Sequence, residues 1–197
     1  MLTEVLAREN DVIDLAFREG SDSSAKYGES YSEYAGAVAD YLFSIIDIAD
    51  VAALTAIAQS PYHYNSVLAQ RLATYGEVLV PTVLELAGSD ISPKRWQAFG
   101  LAGEIHRLNR RGATKTPLGA GALARLTEVL VAGTRDPNIT NRKVAVRNLG
   151  IAGPRDVLPL LETIAQTDTG VSTLHGSPQY LVRDEARLAI ARIRSGQ

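Results

Sequence analysis

The chain has 197 residues, 46% of them hydrophobic and 21% charged, with a formal net charge of −2. That length supplies one sizeable core without a disulfide or metal staple. The absence of cysteine excludes a disulfide framework, a thiolate zinc site, an iron–sulfur cluster and a cysteine nucleophile. No apolar run approaches the roughly 18 residues needed to cross a bilayer, and the start MLTEVLAREN lacks the basic and apolar regions of a secretion signal. The expectation is a soluble globular protein, with the cytoplasm as default location.

In chain order, Leu2, Val5, Leu6, Val12, Ile13, Ala16 and Phe17 recur at three- and four-residue spacing, which predicts an amphipathic helix ended by Gly20. SDSSAKYGES reads as a loop, and Ser30 with Glu33 forms a capping box opening a second helix. VAALTAIAQ, closed by Ser60-Pro61, and NSVLAQRLATYG follow as shorter helices. In EVLVPTVLELAG, Pro81 is compatible with a first turn, where N–H groups have no intrahelical partner. Ser92-Pro93 and Ser177-Pro178 each predict a helix start, with serine as cap and proline as first helical residue. Alternating strand patterns are missing, so the expectation is about ten helices and no sheet.

The near-neutral total hides a polarised chain. Residues 1–93 carry four basic residues (Arg8, Arg18, Lys26, Arg71) against 14 acidic ones, a net of −10. Residues 94–197 carry 16 basic against eight acidic, a net of +8. Such asymmetry suits an anionic partner at one end, or head-to-tail contact. Solvated helix faces are the plainer alternative.

A repeat emerges when Arg95, Arg142 and Arg183 are taken as origins. Three residues later stand Ala98, Ala145 and Ala186; seven later, Ala102, Leu149 and Ile190; then a small residue, Gly103, Gly150 or Ala191. Offsets of three and seven share one helical stripe, so a single packing solution is used three times. The preceding helices also match: Glu77-Val-Leu-Val-Pro81 with Leu84-Glu85 parallels Asp156-Val-Leu-Pro159 with Leu161-Glu162, and LARLTEVLVAG fills the slot between. A degenerate fourth unit places Asn65 where the arginine would stand.

With SDISPKRWQAFGLAG, RDPNITNRKVAVRNLGIAG and VRDEARLAIARI, this pattern resembles the HEAT repeat family, in its short bacterial, phycobilisome-lyase-like form. The resemblance covers about residues 47–197. It implies an all-α, α-α superhelix: a right-handed solenoid of about four antiparallel helix pairs, with residues 1–46 as N-terminal capping helices of one domain. It also implies second helices lining the concave side, and an interior Asp–Arg ladder. Spacing departs from regularity at HRLNRRGATKTPLG (106–119) and TGVSTLHGSPQ (169–179).

Two sets of residues stand out. Arg95, Arg142 and Arg183 share a stripe with alanine, so they point into the junctions between repeats, where Asp90, Asp136 and Asp168 are available as structural partners. At about 100° per residue, Trp96, Gly100, Gly103, Arg107 and Arg111 fall on another face, with Lys143 and Arg147 at equivalent angles and Arg192 toward the flank. That face is the candidate for a protein or acidic peptide, with arginine forks for oxyanions and the indole for stacking or cation–π contact. Ordinary solubilising residues, with Trp96 packed under the 106–119 loop, are the alternative.

Chemistry finds little support. His63, His106 and His175 show no metal-ligand spacing, Glu104 and His106 are two apart and do not face one ligand, and Gly119-Ala-Gly121 follows no strand and is no phosphate loop. No cofactor, metal or membrane partner is expected, and no catalytic residue is assigned. The reading is a non-enzymatic scaffold binding a protein or peptide through a concave basic face. The alternative is a nucleic-acid-binding or nucleic-acid-modifying helical-repeat protein, with glycosylase-like or lyase-subunit-like activity as remoter analogies.

Overall fold

Local chemistry sets where each helix begins. In the computed structural model, which describes residues 4–8, 11, 41, 44, 50–59, 66–174 and 177–196, the Asp50 carboxylate accepts the Ala53 N–H at 3.0 Å and opens α1, Val51–Ala58. Helix α2 spans Ser66–Ala73. A 3-10 turn over Gly76–Leu79 leads into α3, Val80–Ala87, with Pro81 in its first turn. Helix α4, Ser92–Arg110, is the longest among the described residues. Helix α5 is Ala120–Gly133, starting after Gly119. Helix α6, Ile139–Ala152, is capped by Asn138, whose side chain accepts from Thr140 and Asn141 N–H groups. It ends at Gly153, whose φ of 73° is open to glycine and whose N–H bonds Leu149 O at 3.0 Å. A second 3-10 turn, Arg155–Val157, precedes α7, Leu158–Thr167, and α8 is Leu181–Ser195.

The described residues are thus overwhelmingly helical, and residues 4–8 are helical too, with Leu6 buried. Apart from residues 11, 41 and 44, which are helical as well, the rest of the expected capping pair over 1–46, including the Ser30–Glu33 box, lies outside the described residues, as do His63, Asn65 and His175.

Three expectations are corrected. The chain does contain a small sheet: Ser172–Leu174 (β1) and Ser177–Gln179 (β2) form an antiparallel two-stranded ribbon. It is too short for an alternating pattern to register in sequence. It occupies the very residues read as a helix start, so α8 begins after Tyr180 instead. Ser92 is also not a side-chain cap; the position before α4 is Ile91, and the Ser92 hydroxyl and carbonyl both accept from Asn141 Nδ2 at 3.1 Å.

Packing follows the sequence period. Helices α3, α5 and α7 each pack on the helix that follows, and α4 packs on both α2 and α6, with α6 on α8. Ala98, Ala145 and Ala186 are fully buried, together with Leu101, Ala102, Leu149 and Ala189. The small residue eight after each arginine receives the residue six after the next one. A Cβ on Gly103 would overlap the Asn148 side chain, and one on Gly150 would stand 2.7 Å from Ala189 Cα. Gly103 therefore lies in a helix–helix seam, which corrects its assignment to the binding face. Asn148 satisfies its buried amide by donating to Phe99 O at 2.8 Å.

This seam makes a sharp contrast with Gly100, whose Cβ position meets nothing within 4 Å. Gly100→Ala is expected to stabilise by about 0.5–1 kcal/mol through helix propensity. Gly150→Ala is expected to destabilise by about 1–3 kcal/mol, because the opposing atom is backbone and cannot rotate away. Equilibrium denaturant unfolding of the two variants measures both; matching shifts would mean that the α6–α8 seam is not closed.

The 111–119 connection is pinned rather than loose. The Lys115 N–H donates to Thr74 O at 2.6 Å, the Thr116 hydroxyl to Tyr75 O, and the Gly119 N–H to Glu77 Oε2 at 3.0 Å. Lys115 Nζ sits 3.8 Å from the Tyr75 ring centroid. The Gly76 backbone, at φ 65°, makes room for this strap, since a Cβ there would overlap Thr116 O.

Candidate functional site

The three repeat arginines occupy the junctions between helices. Arg95 Nε and Nη2 reach the Asp136 carboxylate at 2.6 and 3.2 Å, while its Nη1 donates to Ser89 O and Asp90 O. Arg142 repeats the arrangement: Nε and Nη2 on Asp168 at 2.9 and 3.4 Å, Nη1 on Asp136 O and Pro137 O. Each guanidinium thus holds the carbonyls of its own turn and the carboxylate of the next. Arg183 donates Nε to Asp168 O at 2.6 Å and stacks on Tyr180, 4.3 Å from the ring centroid. Asp90 contributes its carbonyl to Arg95. Burial opposes ionisation of Asp136, but the Arg95 guanidinium and the Asn138 N–H outweigh it and hold the carboxyl below its ordinary pKa. These side chains are committed to joining helices.

The second set lies on the opposite side of the same helices. Positions one, five and nine after each arginine are Trp96, Gly100 and Glu104 on α4; Lys143, Arg147 and Ile151 on α6; Asp184, Leu188 and Arg192 on α8. None is fully buried, and Arg147, Asp184 and Leu188 are exposed. Arg107 belongs to this side but forms an ion pair with Glu104, one turn away. Arg111 is the exposed residue closing α4.

Arg147 and Arg192 share one acid that the sequence reading missed. Glu185 Oε2 accepts from Arg147 Nη2 and Oε1 from Arg192 Nη1, both at 3.3 Å. The carboxylate is 5% exposed, against 50% for Arg147 and 36% for Arg192. Glu185 and Arg192 are seven residues apart, on one helical stripe, and this is the signal the sequence offered. The partnership with Arg147 depends on the stagger of α8 against α6. Arg110 was missed as well: its guanidinium donates to Ile151 O and Ala152 O, satisfying carbonyls at the C-terminal end of α6.

His106 is buried in α4 against α5, with Nε2 3.3 Å from the Thr127 hydroxyl. Burial, and the charge of Arg110, push its pKa down to about 4, so the ring is neutral at pH 7. Among the described residues no carboxylate hydrogen-bonds it, and Glu104 turns to Arg107 instead. A cleft of about 390 Å³ opens among Gln59, Glu85, Asp90 and Lys94, with Gln59 donating to Glu85 at 3.0 Å.

Among the described residues no group of three His, Asp or Glu is placed to hold a metal ion, and no helix is long and apolar enough to cross a membrane. No family model matches the chain, and no curated protein matches it. The side of these packed helices that carries Trp96, Lys143, Arg147 and Arg192 also presents the exposed Leu188.

Proposed function

We propose that this chain is a HEAT-like helical-repeat scaffold, a right-handed superhelix of helix pairs, that binds an acidic polypeptide through its second-helix face. The observation supporting the repeat is the recurrence of one rung, Arg95–Asp136 and then Arg142–Asp168, with the same donors and the same acceptors. The observation supporting the binding face is that Trp96, Lys143, Arg147 and Arg192 stand at corresponding helical phases outside that ladder. Packed helices hold those side chains in fixed relation, so a ligand gains affinity without first ordering its site.

Titration of a fluorescein-labelled acidic peptide, such as hexaglutamate, by fluorescence anisotropy tests this. Trp96→Ala combined with Arg147→Ala is expected to weaken binding at least tenfold while the thermal unfolding midpoint stays within a few degrees. A folded double variant that binds like the wild type removes the face from consideration. Duplex DNA binding more tightly than the peptide, with a steep log–log loss in salt, would replace this reading with the nucleic-acid one.

A further inference from the structure

We infer that Glu185, Arg147 and Arg192 form a pre-oriented fork for an oxyanion on a peptide: a carboxylate or a phosphoryl group beside an apolar side chain. The inference rests on the proposed peptide-binding reading and assigns its anchor. A guanidinium carries five N–H donors, and Glu185 engages one from each arginine. The Arg147 and Arg192 side chains are 50% and 36% exposed, while the acid that joins them is buried. Lys143 lies one turn before Arg147 on α6, so the local balance of Lys143, Arg147, Arg192 and Glu185 is net positive. A planar guanidinium pair suits a two- or three-oxygen anion better than ammonium groups do.

The neighbour of the fork argues for a peptide. Leu188 is 54% exposed and sits three residues after Glu185 and four before Arg192, on the same stripe of α8. An anion arriving with an apolar side chain covers that leucine; a free inorganic anion leaves it in water.

The expected signature runs against simple charge counting. Glu185→Gln removes a negative charge, so a patch acting through net potential alone binds an anion more tightly afterwards. A fork held by Glu185 binds it more weakly, by about threefold to tenfold. Arg192→Lys keeps the charge, loses the planar fork, and is expected to cost about tenfold. Both are measured by anisotropy with a labelled peptide alternating glutamate and leucine and with a labelled peptide of equal length alternating phosphoserine and leucine, and far-UV circular dichroism checks folding. The tighter of the two peptides identifies the anion. Tighter binding by folded Glu185→Gln overturns the fork but leaves the peptide-binding face standing. Should Glu185→Gln fail to fold, Arg192→Lys and Arg147→Lys binding like the wild type overturns the fork by itself. Wild-type protein binding neither peptide overturns the underlying reading.

Discussion

Asp136→Ala is expected to lower the unfolding free energy by about 3 kcal/mol, the low end for removing one partner of a buried ion pair. For a domain of this size that corresponds to a fall of roughly 6–12 °C in thermal midpoint. The reason is local. Arg95 and Asp136 are both nearly covered, at 15% and 3% side-chain exposure, and alanine removes the carboxylate that the guanidinium hydrogen-bonds at the α4–α6 junction, leaving the Ser89 and Asp90 carbonyls and the more distant Asp90 charge. The same substitution also strips the Asn138 N–H of its acceptor at 2.8 Å, loosening the entry to α6. Asp184→Ala makes the control, because its pair with Arg187 is about 60% exposed on both sides and is worth less than about 1 kcal/mol. Equal losses for the two variants would refute the idea that Asp136 ties neighbouring helices together. Because its carboxyl pKa is lowered on folding, the Asp136 contribution is present above the ordinary value of 3.8 and is lost as pH falls through the folded value.

A separate loss of stability is expected at milder acidity, from His106. Its pKa falls from 6.5 in the unfolded chain to about 4 in the folded one. Between those values the unfolded state binds the additional proton, so stability drops as pH falls, at up to about 1.4 kcal/mol per pH unit. Summed over the window, the loss is on the order of 3 kcal/mol between pH 7 and pH 4, and it levels off below the folded pKa. Urea unfolding midpoints taken across pH 4–7 for wild type and His106→Gln measure it. The wild type is expected to show the larger acid slope, and the difference between the curves isolates this residue from His63 and His175. Parallel curves would mean that the ring is not held neutral against α5.

Much of this architecture was legible in the chain because helical periodicity is a property of one element at a time. The stripe through Arg95, Ala98 and Ala102 is fixed by 100° per residue, and so is its recurrence at Arg142 and Arg183. The same arithmetic placed Trp96, Lys143 and Arg147 on another side. Signals shorter than a helical turn were less dependable. Serine-proline reads the same at 92–93 and 177–178, yet one begins a helix and the other lies in a two-residue-gapped ribbon. The difference lies in what each segment meets: Ser92 receives Asn141 from α6, whereas Ser177–Gln179 pairs with Ser172–Leu174.

The sequence by itself determined the helical class, the alanine stripe and the repeated arginines, because spacing along one helix sets which side chains share a side. Only the tertiary structure decided the pairings. Arg95 hydrogen-bonds the carboxylate of Asp136, 41 residues away, whereas Asp90, five residues away, gives it a carbonyl and a more distant charge. Gly103 accommodates Asn148, and Glu185 on α8 reaches Arg147 on α6. Such contacts depend on how far one helix is shifted along its neighbour, and that shift is set by close packing of alanine and glycine seams from many residues at once.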